Sequence, residues 1–154
     1  MRVEMVVEMP ARSGNKYEVD SSTGTLHLDR HLVTAARCPL DYGHVAGTRG
    51  EDGDPIDALL ALDEPAVPGC HVAARPVAVL WIRKRGGREP KILCVPDFDA
   101  AATWRDLGEV PQRLLREIGQ FFETYKDIEE DEVTVESWEG REAAEREVEA
   151  RREE

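Results

Sequence analysis

The sequence predicts an α+β fold in which a small β-barrel comes first and helices follow. Short alternating or apolar segments, bounded by glycine and proline, succeed one another closely up to residue 95, as the strands of a small barrel do. The period then changes. Leu114, Leu115, Ile118, Phe121, Phe122 and Tyr125 stand at i, i+1, i+4, i+7, i+8 and i+11, which is one face of an amphipathic helix.

Residues 3–8 read as a strand that ends at Pro10. Ser13 and Gly14 make a loop into Lys16-Tyr17-Glu18-Val19-Asp20, where alternation puts Lys16 and Glu18 on one face and Tyr17 and Val19 on the other. Ser21-Ser22-Thr23-Gly24 is a turn, so 16–29 forms a hairpin that delivers Arg30 beside Asp29. No period holds from 34 to 51, where Pro39, Gly43, Gly47 and Gly50 mark an irregular segment. A strand is expected at 58–62. After the Pro68-Gly69 turn comes the apolar run 70–82, with Pro76 at a bulge or sheet edge. Arg83-Lys84-Arg85-Gly86-Gly87-Arg88 makes a basic hairpin tip, and 91–95 is the return strand, stopped by Pro96. The helix over 111–125 opens with Pro111, which suits a first turn. Val133 and Val135 alternate with charge in one more strand at 132–136. Residues 138–154 read as a charged surface helix with a thin stripe of Trp138, Ala144 and Val148, fraying at its end. With no internal repeat, 1–154 is expected to be a single domain.

The formal net charge of −12 argues against nucleic acid or an anionic membrane as partner, since both select a basic face. Cys38, Cys70 and Cys94 are odd in number and lack a C-x-x-C pair, so they are expected to be reduced, buried and inert. The four histidines lack zinc-site spacing. No 18-residue apolar run occurs, and the first residues lack the apolar core of a signal peptide, so a cytoplasmic location is expected.

The chemistry concentrates in Glu51-Asp52-Gly53-Asp54-Pro55-Ile56-Asp57. Asp52, Asp54 and Asp57 repel one another at such spacing, whereas a hard divalent cation such as Mg²⁺ is held by carboxylates together with substrate phosphates. Gly53 allows a tight turn, and Pro55 turns Asp54 away from the direction of Asp52. One arrangement has Asp52 and Asp57 grip metal while Asp54 handles a proton; the other reading is a solvated acidic turn. Around this stretch stand Glu8, Lys16, Glu18, Arg30, Tyr42, Lys91, Tyr125 and Lys126. Acids for metal, with lysine, arginine and tyrosine for phosphate oxygens, make a phosphoryl-transfer inventory. No nucleotide-binding glycine loop is present, so the phosphate compound is small. Each residue also has a structural reading. Lys16 with Glu18, and Arg30 with Asp29, make surface pairs; Tyr42 and Tyr125 close the edge of the core; Lys126 suits a helix C-terminus.

Asn15-Lys16-Tyr17-Glu18-Val19-Asp20, Asp41-Tyr42-Gly43, the acidic heptamer, Lys91-Ile92-Leu93-Cys94-Val95-Pro96 and Phe121-Phe122-Glu123-Thr124-Tyr125-Lys126-Asp127 resemble the soluble family I inorganic pyrophosphatases, especially actinobacterial ones. The resemblance runs from about residue 3 to 140. It implies a five-stranded OB-like closed barrel with flanking helices, and Mg²⁺-dependent hydrolysis of pyrophosphate to two phosphates. Mn²⁺ or Zn²⁺ are implied as substitutes, and a homohexamer as the assembly. Asp52 and Asp57 would hold the tight metals, and Glu8, Glu18 and Glu89 further metal. Asp54 and Glu89 are the catalytic candidates, with Asp54 beside the attacking water. Lys16, Arg30, Tyr42, Tyr125 and Lys126 would hold the phosphates, with Lys91 beside the metal site.

The hairpin tip departs from this pattern. The family usually has two metal-binding aspartates there, whereas this chain has Lys84 and Glu89 in the same register. An ammonium about 5 Å from a divalent ion is repelled by about 7 kcal/mol at an effective dielectric near ~20. Either Lys84 swings to solvent or one metal position is vacant. Cys38 replaces a phosphate-binding tyrosine, and an acidic run follows Asp127. Two outcomes stand: a pyrophosphatase with weakened metal occupancy, in which Lys84 or Arg85 meets phosphate charge, or a phosphate-binding module without efficient turnover.

Overall fold

The computed structural model describes residues 1–98, 104–125 and 132–154. In chain order its elements are β1 (Val3–Met9), β2 (Asn15–Val19), β3 (Leu26–His31), β4 (Asp41–Val45), β5 (Asp57–Leu60), β6 (His71–Lys84), β7 (Gly87–Pro96), a 3₁₀ turn at Leu107–Glu109, α1 (Gln112–Thr124), β8 (Thr134–Gly140) and α2 (Arg141–Ala150). β1 pairs with β4 on one side and β6 on the other, so β1–β4–β5–β7–β6 closes on itself as a ring of five strands. β5 and β7 run parallel, and the other ring pairs are antiparallel. β8 adds to β6 outside the ring, and β2–β3 is a separate hairpin. This is the expected α+β ring with flanking helices.

Strand alternation sorts the core into two clusters, each capped by a helix. Leu59, Leu80, Ile82 and Leu93 lie with Leu115, Ile118, Phe121 and Phe122 of α1. Their neighbours Ala58, Leu60, Val79, Ile92 and Cys94 lie with Ala144 and Val148 of α2. β6 serves both clusters and pairs with three other strands. Its register slips between Pro76 and Ala78, the bulge expected where proline cannot donate to a ladder.

Three expectations are corrected. The segment 34–51 contains β4, which alternation does not betray because it is short and includes Gly43. That glycine is a packing requirement: a Cβ there would lie 1.8 Å from the Val6 carbonyl oxygen across the β1–β4 seam. The charged helix begins at Arg141 rather than 138, because pairing to β6 continues through Trp138 opposite Leu80 as far as Gly140 opposite Ala78. It is the expected surface helix with an inward stripe, but its end is not frayed. Ala144 and Val148 are fully buried, and the chain beyond is tied down by Arg49 N–H to the Arg151 carbonyl at 2.8 Å and Glu153 N–H to the Gly47 carbonyl at 2.9 Å. Finally, Cys38 and Cys94 are buried but Cys70 is exposed. Burial pushes the Cys38 and Cys94 thiols up to about 12, so both are inert core groups. Among the described residues no helix is long and apolar enough to cross a membrane.

Candidate functional site

The acidic heptamer is a knitted loop. Gly53 has φ of +88°, a conformation that favours glycine. The Asp52 carboxylate accepts from Asp54 N–H at 3.0 Å, Gly50 N–H donates to the Asp54 carbonyl at 2.7 Å, and Ile56 N–H donates to Thr48 Oγ1 at 3.0 Å. Asp57, the last acid, opens β5. The loop therefore holds Asp52 and Asp54 out from the ring while Asp57 stays anchored in it.

These acids meet other strands at one cavity of about 530 Å³. Glu8 of β1, Lys16 and Glu18 of β2, Tyr42 and His44 of β4, Lys84 of β6, Glu89 of β7 and Tyr125 at the end of α1 line it with Asp52, Asp54 and Asp57. Lys16 and Glu18 arrive together by strand alternation, as do Tyr42 and His44. A hollow of about 500 Å³ adjoins it, sharing Asp52, Asp57, Lys84 and Glu89 and adding Arg88 and Arg151.

Lys91 lies beneath the cavity floor, fully buried. Its ammonium donates to Asp57 Oδ2 at 2.5 Å and to the Tyr42 hydroxyl at 3.3 Å, and stands 5.2 Å from the centre of the Phe122 ring. For Asp57, burial is the largest single influence and raises the pKa; the charge and hydrogen bond of Lys91, the Tyr42 hydroxyl and the charge of Lys84 outweigh it, leaving the carboxyl below its usual range. The Tyr42 phenol is raised well above its ordinary value, first by burial and then by Asp57, Tyr125 and Glu8. It therefore keeps its proton as a neutral hydrogen-bonding group. Tyr125 is equally buried, its hydroxyl 3.7 Å from Met9 Sδ. Both tyrosines thus close the core and face the cavity. Across the floor, His44 Nδ1 lies 3.5 Å from Glu8.

Lys84 does not swing to solvent. Its ammonium lies 3.0 Å from Glu89 Oε2 with the side chain 15% exposed, and Lys91 approaches the same oxygen at 3.8 Å. Glu89, expected among the metal ligands and catalytic groups, is thus flanked by two ammonium groups.

Of the remaining sequence candidates, Arg30 pairs with Lys16 across the β2–β3 hairpin. It is not among the cavity-lining residues, and its guanidinium contacts Asp29 at 3.1 Å. Lys126 lies outside the described residues. His44 was not anticipated; only recognition of β4 would have placed it beside Tyr42. Among the described residues no three histidine, cysteine, aspartate or glutamate side chains converge into a metal cage by themselves. The donor set of Glu8, Glu18, Asp52, Asp54 and Asp57 nonetheless fits a hard cation whose shell is completed by water and substrate oxygens.

A closed five-strand ring bearing oxygen donors for a divalent cation, interleaved with lysine and tyrosine for a small polyanion, defines a class of small-barrel phosphate enzymes. The chain belongs to the inorganic pyrophosphatase family, whose model, described as inorganic pyrophosphatase, matches residues 5–154. It is 44% identical over 151 residues to the inorganic pyrophosphatase of Streptomyces coelicolor, across 97% of this chain and 93% of the relative. With that of Methanosarcina acetivorans it shares 44% identity over 141 residues, 91% of this chain and 84% of the other. The crystal structure of inorganic pyrophosphatase from Thermus thermophilus superposes with a TM-score of 0.89 at 41% identity, covering 97% of this chain and 88% of that one. The Helicobacter pylori enzyme gives 0.89 at 36% identity, covering 97% and 91%. Membership implies dependence on a divalent metal.

Proposed function

We propose that this chain hydrolyses inorganic pyrophosphate to two phosphates in the cavity formed by Asp52, Asp54, Asp57, Tyr42 and Lys16, with Mg²⁺ as metal and Mn²⁺ or Zn²⁺ as substitutes. The observation that carries the reading is the convergence of Glu8, Glu18, Asp52, Asp54 and Asp57 with Lys16, Lys84, Tyr42 and Tyr125 on one cavity.

Asp52 and Asp57 would hold the principal metal, with Glu8 and Glu18 available for more. When bound, a divalent cation acidifies water and offsets phosphate charge. Lys91, which donates to Asp57 and to the Tyr42 hydroxyl, and the Tyr42 hydrogen bond favour the ionised form of Asp57. Asp54, next to Gly53 on the heptamer loop, would accept the proton of the attacking water. Lys16 supplies positive charge for a phosphate, and Tyr42 and Tyr125 supply neutral hydroxyls. Arg30 and Lys126 belong to the phosphate-binding set on the family likeness alone. A homohexamer, a cytoplasmic location and a single-domain chain are part of the same proposal: the first rests on that likeness, the second on the cysteine pattern and apolar content, and the third on chain length.

Purified protein incubated with pyrophosphate should release inorganic phosphate with Mg²⁺ and stop on adding EDTA. The pairing of Lys84 with Glu89 favours a second reading, a pyrophosphate-binding module that turns over poorly. Tight pyrophosphate binding without phosphate release would select it.

A further inference from the structure

The register of the β6–β7 hairpin decides which basic residues reach the cavity. Lys84 sits opposite Gly87 and Ile82 opposite Glu89, and cross-strand partners share a face. Lys84 and Glu89 are therefore neighbours on the inward face. Arg83 and Arg88, opposite each other on the other face, are taken up elsewhere: both reach Glu136, at 2.9 and 3.6 Å, and Arg88 stacks 3.8 Å over the Trp81 ring. Lys84 is the ammonium that this hairpin commits to the cavity.

Its position is specific. Lys84 and Lys91 bracket a single oxygen, Glu89 Oε2, at 3.0 and 3.8 Å, and Lys91 also holds Asp57 at 2.5 Å. Two ammonium groups neutralise Glu89 and Asp57 between them, so Glu89 carries no unbalanced negative charge to draw a divalent ion. A divalent ion drawn to Glu89 would face both charges at close range. A phosphate oxygen there would meet donors instead. The opposite end holds Asp52 and Asp54 on the heptamer loop.

We propose that Lys84 is a tethered cation that takes the place of one divalent ion at the Glu89 end of the cavity. It meets a phosphate oxygen of the substrate directly, and metal is confined to the end bounded by Asp52 and the Asp57 oxygen that Lys91 does not hold. This rests on the pyrophosphate reading above for the identity of the anion, but the metal distribution follows from the charges alone.

The test counts Mn²⁺ per chain from the free-ion electron spin resonance signal, without substrate, in wild type, Lys84→Met, Glu89→Gln and the double variant. Lys84→Met should bind one more Mn²⁺ than wild type, Glu89→Gln alone should match wild type, and the double variant should lose the extra ion. Equal counts in wild type and Lys84→Met, or a lost ion in Glu89→Gln alone, would overturn the proposal. Lys84→Arg keeps the cation and should count as wild type. If Lys84→Met fails to fold by circular dichroism, the Glu89→Gln count still decides. The non-hydrolysable analogue imidodiphosphate should bind Lys84→Met about tenfold more weakly in EDTA, and an unchanged affinity would refute the direct phosphate contact. Phosphate release by wild type is measured alongside. Its absence would sink the hydrolytic reading while leaving the Mn²⁺ counts to judge Lys84.

Discussion

Replacing Lys91 by methionine removes the buried ammonium on which the Asp57 side of the site depends. The substitution keeps the bulk of the side chain beside Phe122 and Tyr42 but leaves Asp57 without its 2.5 Å partner. Losing one member of a buried ion pair costs about 3–5 kcal/mol. Asp57 is 35% exposed, so solvent screening brings the expected loss to about 2–3 kcal/mol. The pH dependence gives a sharper signature. In wild type the folded pKa of Asp57 is depressed below 3.8, so its contribution is complete above that value and fades as pH falls through the lower folded pKa. In Lys91→Met burial is opposed only by the Tyr42 hydroxyl and the charge of Lys84, so the folded pKa moves up from its wild-type position. The stabilisation that Lys91 gives the carboxylate is then missing at neutral pH, and the deficit of the variant should shrink as pH falls from neutrality through 3.8 towards the lower wild-type value. Urea unfolding of both proteins in EDTA, across that range, measures it. A deficit below about 1 kcal/mol, or one that stays constant with pH, would refute the reasoning.

Other substitutions test the frame around the site. Gly43→Ala should abolish folding, since its Cβ would fall 1.8 Å from the Val6 carbonyl oxygen; soluble protein with a wild-type circular dichroism spectrum would contradict the tight β1–β4 seam. Val148→Ala empties a fully buried position under α2 and should cost about 2 kcal/mol in urea unfolding, where a negligible change would mean that α2 is not docked as described. Asp106 accepts from Leu107 N–H at 2.7 Å and Arg141 N–H at 2.9 Å, joining the 3₁₀ turn to the start of α2. The hydrogen bonds from Arg141 and Leu107 hold its carboxyl below 3.8. Asp106→Ala should therefore lower the thermal midpoint at neutral pH, with the difference closing as pH falls below that value; a gap unchanged by acid would speak against the cap.

Much of this was legible because alternation and helical period report directly on which face is buried. β1, the β2–β3 hairpin and the apolar stripe of α1 form where the sequence puts them, although β3 is exposed along its whole length and alternation there marks no buried face. The acidic heptamer advertised itself, since Asp52, Asp54 and Asp57 repel one another at such close spacing. β4 was hidden because its signal depends on Gly43 fitting against another strand, a fact of tertiary contact. Trp138 misled for a similar reason: it lies in a strand paired with β6, although the alanine-, glutamate- and arginine-rich stretch after Gly140 is what reads as helix. Most telling is Lys84. Whether it faced solvent or the cavity turned on the β6–β7 register, and a slip of one residue would have presented Arg83 or Arg85 instead. No residue count could have settled that.

The most direct test of the hydrolytic site is the behaviour of Asp54→Asn with saturating Mg²⁺. Asp54 lines the cavity on an exposed loop, so the variant should fold as wild type and bind imidodiphosphate with similar affinity, while phosphate release from pyrophosphate falls by about 10²–10⁴. Turnover at the wild-type rate with the same affinity would contradict the role given to Asp54 and, with it, the account of how this cavity works.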